Sequence, residues 1–204
     1  MSDLYTATEG EILIKVARDA IEKELFGSSS QSISEHALKN EKFWIKKGVF
    51  VTLEKAGQLR GCIGHIVPIL PVIEGIRENA INAAFRDPRF PPLSKTEYPL
   101  ISVEISILTE PKPLYFKDPE ELLIKLKPKI HGVILKKRGY QSTFLPQVWE
   151  QLPDKKQFLS HLAMKAGLPP NAWMDPDVEV FTYEVQKFEE KKIKPARGFE
   201  PLTC

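Results

Sequence analysis

Phe50-Val-Thr-Leu-Glu-Lys-Ala-Gly-Gln-Leu-Arg-Gly-Cys-Ile-Gly64 decides how this chain is read. From Val49 to Glu54 apolar and polar residues alternate, the period of a strand with one buried face. Gly57 marks a turn. A three-residue loop, Lys55-Ala56-Gly57, with Gly57 as the left-handed residue of a bulge, is a common hairpin connection. It pairs Leu53 with Leu59, Val51 with Gly61 and Val49 with Ile63, so that face is apolar or small throughout. The opposite face holds Thr52, Glu54, Gln58, Arg60 and Cys62, with Phe50 across from Cys62. A slip of one residue would mix the two sets. In this register Arg60 and Cys62 project from one face. Gly57, Gly61 and Gly64 serve as structural turn and close-approach positions.

Before the hairpin, Thr8-Glu9-Gly10-Glu11 reads as a capping box that starts a helix running to about Phe26. Gly27 stops it, and Ser28 to Ser32 form a flexible loop. Glu41 to Lys47 makes a helical turn or two around Phe43 and Trp44.

After the hairpin, Pro71 opens a helix whose buried stripe is Val72, Ile73, Ile76, Ala80, Ala83 and Ala84. Pro88 ends it by Asp87. The three prolines of Ala83-Ala-Phe-Arg-Asp-Pro-Arg-Phe-Pro-Pro-Leu93 make a rigid, polar-tipped loop. Leu100 to Leu108 is a strand with Ser102, Glu104 and Ser106 on its polar face. Asp118 caps a short helix that ends near Pro128. Ile130 to Lys137 and Tyr140 to Leu145 form a second hairpin around Gly139. Asp154 caps a helix through Lys165, closed at Gly167. Val178 to Lys187 is the last strand. This irregular mixture argues for an α+β fold with a largely antiparallel sheet and flanking helices.

Composition narrows the function classes. The chain has 204 residues and a formal charge of +2, too little to argue for nucleic acid or anionic lipid by itself. No apolar run reaches the length of a membrane span. Two cysteines, 62 and 204, make neither a disulfide framework nor a zinc spacing, and a cytoplasmic protein is the simplest reading. No dinucleotide fingerprint, Walker sequence or HExxH is present. The final residues, Gly198-Phe-Glu-Pro201, match one reading frame of a transfer RNA T-arm. Residues 195–204 are therefore read as a tail from a frame running into such a gene.

At Leu59-Arg-Gly-Cys-Ile-Gly64 the chain resembles the AMMECR family. The resemblance includes Phe50-Val-Thr-Leu53 and continues through Ala84-Phe-Arg-Asp-Pro-Arg-Phe90 and Val103-Glu-Ile-Ser-Ile-Leu108. His131-Gly132, Leu145-Pro-Gln-Val148, Phe158-Leu159 and Lys165-Ala-Gly-Leu168 complete it. It implies one domain over residues 1–194, built as two intertwined subdomains enclosing a cleft. It implies no settled activity. Family context suggests Memo-like and radical-SAM proteins as partners, or a nuclear or RNA-related role.

Cys62 is the sharpest chemical candidate. A thiolate is the nucleophile, and an adjacent arginine lowers a thiol's pKa. Arg60 is placed to do so, while His65 and His131 offer bases and Asp87 an orienting carboxylate. Cysteine is also one of the residues most often packed as a small hydrophobe. Arg60, Arg86 and Arg89 could instead clamp an anionic ligand, with Gln147 supplying an amide. Cys62, His65 and His131 are too weak a set to argue for a metal, and no cofactor is implied. Asn79 and Asn82 read as solvated. The resulting expectation is a small-molecule or modified-substrate enzyme, or an accessory subunit of one, with its cleft around Cys62 and Arg60. Cys62, His131 and Asp87 would be catalytic, and Arg60, Arg89 and Gln147 would bind substrate. The alternative is a module that binds RNA or protein, with Leu59–Gly64 structural. The basic runs Lys125–Lys129, Lys136–Arg138 and Lys191–Lys194 are its cationic candidates.

Overall fold

The computed structural model describes residues 4–190, so the tail read at 195–204 lies outside the described residues. The fold is α+β, with two four-stranded antiparallel sheets and five helices. Helix α1 (Ala7–Phe26) and α2 (Glu35–Leu38) precede the hairpin β1 (Val49–Lys55) and β2 (Gln58–His65). Then come α3 (Val72–Phe85), β3 (Ile101–Leu108), β4 (Lys112–Pro113) and α4 (Pro119–Lys125). A second hairpin, β5 (Gly132–Lys137) and β6 (Tyr140–Phe144), leads to α5 (Lys155–Lys165), β7 (Glu179–Tyr183) and β8 (Val185–Glu189).

The sheets have the orders β2-β1-β3-β8 and β4-β7-β5-β6. Each owns a core. α1 and α3 cover one face of the first sheet around Leu13, Phe43, Leu53, Ile76 and Ile105. α4 and α5 cover the second around Leu122, Trp149, Phe158 and Leu162. Leu108, Ile134 and Tyr183 form a small cluster packed by Phe50 and Val185.

The stretch read as one last strand, Val178 to Lys187, is divided between the sheets. β7 pairs with β4 and β5, β8 pairs with β3, and Glu184 lies between them. The chain leaves the first sheet after β3 through Thr109 and returns through Glu184. These crossings hold each other: the Thr109 N–H donates to the Glu184 carbonyl at 2.9 Å, and the Glu184 N–H donates to Thr109 Oγ1 at 2.9 Å.

The first hairpin differs from the expected register by two residues. Ala56 and Gly57, at φ 52° and 76°, form a two-residue turn. Positive φ at both central positions is the geometry whose twist best matches the flanking strands. Leu53 therefore pairs with Gly61 and Val51 with Ile63, and a bulge leaves Arg60 as the extra residue between Leu59 and Gly61. Beyond the bulge the apolar face survives because a two-residue shift preserves the faces, but Leu59 now lies opposite Glu54 and is exposed. Arg60, however, leaves the alternation that would have placed it beside Cys62.

Three local expectations also change. The capping box of α1 is Thr6…Glu9, two residues earlier than read. Thr6 Oγ1 accepts from the Glu9 N–H, and Glu9 Oε2 accepts from the Thr6 N–H at 2.6 Å. Glu9 is fixed further by Asn40 and Lys42. Ser29 to Gln31 do not dangle, because Glu22 accepts from both serine hydroxyls, the Ser30 N–H and Gln31 Nε2. Asn79 is buried rather than solvated. Its Nδ2 donates to the Val49 carbonyl and lies 3.2 Å from His65 Nδ1.

Candidate functional site

Cys62 stands on β2, an edge strand, opposite Thr52. Its neighbours are set by the rigid loop after α3. The Cys62 N–H donates to Asp87 Oδ2 at 2.9 Å, and Arg89 Nη2 donates to the Cys62 carbonyl at 3.1 Å. Arg89 also grips Asp87, Nε to Oδ1 at 2.9 Å and Nη2 to Oδ2 at 2.6 Å. The loop thus occupies backbone groups that a bare edge would leave open to another strand. The Arg89 hydrogen bonds, working against burial, hold the Asp87 carboxyl well below the usual carboxylate range.

The thiol itself is half-buried and accepts from Thr52 Oγ1 at 3.3 Å. Burial pushes its pKa up, and Glu104 and Asp87 add to that, against Thr52 and Arg89. An activated thiolate would show the opposite direction. The guanidinium acting on the thiol is that of Arg89. Arg60 is only 6% exposed and engaged elsewhere. Its Nε and Nη2 make a two-pronged pair with Glu97 at 2.8 and 2.9 Å, Nη2 also donates to the Pro91 carbonyl, and the group lies over the Phe90 ring. Through those hydrogen bonds the Glu97 pKa falls to about 2. Arg86 is occupied with Asn82.

His131 sits just before β5 in the other sheet, buried. Its Nδ1 accepts from the Lys127 N–H at 3.3 Å, and its carbonyl takes the Trp149 indole N–H at 2.7 Å. Burial and then Lys127 lower its pKa, so the ring is neutral near pH 7. Burial likewise lowers that of His65. Among the described residues no three His, Cys, Asp or Glu side chains are arranged to hold a metal.

Gln147 follows β6 in a 3-10 turn, Pro146–Glu150. Its Oε1 is buried and receives no donor. It lines a polar cleft of ≈ 370 Å³ whose walls come from both sheets' strands and turns: Lys129, Glu150, Glu184 and Lys187 among them. Lys187 in turn donates to Glu104, which lies on the face shared by Thr52 and Cys62. Strand alternation places Glu104 and Ser106 on the face opposite the apolar one, and both are buried there. Glu150, Glu184 and Lys187 were not singled out, because strand and turn charges carry no local signal of a shared cleft.

A larger groove of ≈ 560 Å³ runs past Tyr115, Phe116, Met174 and Phe181. Two of its three acidic groups are already occupied: Asp118 caps α4 and Asp175 pairs with Lys137. The basic runs are matched in part, Lys129 forming no ion pair among the described residues. Lys125 pairs with Glu121, and Lys137 and Arg138 pair with Asp177. Lys191–Lys194 lies outside the described residues.

The two interlocked antiparallel sheets, with the hexapeptide Leu59–Gly64 pinned beneath a proline-rich loop, define the class of protein. The AMMECR1 family model matches residues 14–188, and the chain belongs to that family. It is 42% identical over 196 residues to Protein MK0488 of Methanopyrus kandleri, covering 94% of this chain and 93% of the relative. Protein MJ0810 of Methanocaldococcus jannaschii is 41% identical over 190 residues, covering 92% of each. The crystal structure of uncharacterized protein PH0010 from Pyrococcus horikoshii is similar at a TM-score of 0.80 and 37% identity, covering 93% of this chain and 95% of that one. Among the described residues no helix is long and apolar enough to cross a membrane.

Proposed function

We propose that the protein is a small-ligand-binding unit. Its working site is the polar cleft at Gln147, and Leu59–Gly64 is its scaffold. The observation that carries this reading is that charged groups are paired at the hexapeptide and mostly unpaired at the cleft. Around the hexapeptide, Arg60 Nε and Nη2, Asp87 and Arg89 are spent on Glu97, on each other and on backbone, while Arg60 Nη1 and His65 Nε2 are buried without a partner among the described residues. Around the cleft, Lys129, Glu150 and Glu184 form no ion pair among the described residues, and Gln147 Oε1 lacks a donor. Concave sites with a few converging polar groups are where small molecules bind. A raised thiol pKa supports a packing role for Cys62. The pairing of Lys137 and Arg138 with aspartates weighs against a nucleic-acid role. The Memo-like and radical-SAM proteins implied by family context would be natural users of such a unit, as partners to which it delivers or presents its ligand.

The reading is tested by small-molecule retention. Purified protein is mixed with a polar metabolite extract, desalted and denatured, and the released compounds are identified by mass spectrometry. Wild type and Cys62→Ser should retain the same compound, and Gln147→Leu should lose it. No retained compound, or retention that depends on Cys62 and not on Gln147, overturns the reading.

A further inference from the structure

We infer that the ligand of this cleft is a free α-amino acid in its zwitterionic form. The inference rests on the binding reading above and adds the chemical class. Four charged side chains line the cleft, Lys129 and Lys187 against Glu150 and Glu184. Lys187 is engaged by Glu104, so Lys129 is left for a carboxylate and Glu150 and Glu184 for an ammonium, which suits a molecule carrying both groups. A diamine would set one of its charges against the unpaired Lys129, and a dicarboxylate would meet two unpaired glutamates.

Three further observations fit this class. At ≈ 370 Å³ the cleft lies at the small end of ligand pockets, which run from about 300 to 1,000 Å³. Gln147, on the cleft wall, keeps a buried carbonyl without a donor, a hydrogen bond left unmade in the free protein. Lys129 holds φ at 66°, a left-handed conformation that a non-glycine residue adopts at a cost and that gathers at ligand sites. The turn around it is fixed by hydrogen bonds from the Ile130 and His131 N–H groups to the Lys127 carbonyl. His131 is neutral near pH 7 and leaves the charge balance of the lining unchanged.

The test is calorimetric titration at low ionic strength with L-alanine, L-glutamine and L-lysine. n-Butylamine and butyrate carry the single charges alone. At least one amino acid should bind, with each single-charge probe weaker by tenfold or more. Lys129→Met and Glu184→Gln should each weaken that binding at least tenfold, without moving the unfolding midpoint of the free protein. Butylamine or butyrate binding as tightly as the amino acids, or variants that bind like wild type, overturns the inference. If no amino acid binds while the extract yields a different retained compound, the amino-acid assignment fails and the binding reading stands. If nothing is retained either, both fail.

Discussion

The Asp87 carboxylate accepts the Cys62 N–H at 2.9 Å while it is itself clasped by Arg89, whose Nη2 returns to the Cys62 carbonyl. At Cys62 a loop side-chain pair thereby does for β2 what a neighbouring strand would do, and the edge of the first sheet is capped at that position. Asp87→Ala should cost about 2–3 kcal/mol, the scale of losing charge-assisted hydrogen bonds at a buried acceptor. Urea unfolding should show a lower midpoint with an unchanged slope. A loss below about 0.5 kcal/mol would mean that the loop contributes little to holding the edge.

Acid should unfold the protein through a small set of carboxylates. Burial works to raise the Glu22 pKa, but hydrogen bonds from Tyr98, Gln31 and Ser30 outweigh it and bring it to about 2. Arg60 brings Glu97 to about 2. Unfolded glutamate titrates near ~4.3. The folded state therefore holds fewer protons between those values, and stability falls as pH drops through that window. It is fully present above about pH 5. Equilibrium unfolding from pH 6 to 2 should show the decline, and Glu22→Gln should make it shallower while lowering stability at pH 7. An unchanged slope in that variant would remove Glu22 from the account.

Two glycines of the hairpin should respond differently to alanine. At Gly61 an added Cβ would lie 2.2 Å from the Ala83 carbonyl oxygen, backbone of the buried helix α3. At Gly57 it would meet nothing within 4 Å, and the only penalty is the left-handed conformation at φ 76°. Gly61→Ala should cost about 2–4 kcal/mol through forced separation of β2 from α3. Gly57→Ala should cost roughly 1–2 kcal/mol. Thermal unfolding of both orders them, and equal losses would contradict the close approach at Gly61.

These contrasts show which levels of the structure the sequence carries. Alternation in Phe50–Gly64 correctly separates Val51, Leu53, Gly61 and Ile63 from Thr52 and Cys62. It cannot separate two registers two residues apart, because both keep the same faces. It is equally blind to the switch at Glu184, where alternation runs on while the strand changes partners. The prolines around Asp87 reveal a rigid loop, but its hydrogen bonds to Cys62 come from 25 residues away. The Arg60–Glu97 pair likewise spans 37 residues and leaves no local trace. Family resemblance supplied His131 and Gln147, whereas Glu150 and Glu184 become neighbours of Gln147 only once the two sheets interlock.

The thiol gives the most direct check on scaffold versus chemistry. Cys62 is half-buried, its carbonyl and N–H are occupied, and burial raises its pKa. A free thiol titrates near ~8.5. In a Cys204→Ser background, native alkylation should be slow, with a midpoint above that value, and should become fast on denaturation. Thr52→Val removes the hydroxyl that stabilises the thiolate, so it should move the midpoint further up. Arg89→Met removes the neighbouring cation and should act in the same direction. A native midpoint at or below neutrality would instead mark an activated nucleophile. Leu59–Gly64 would then have to be reconsidered as a catalytic segment.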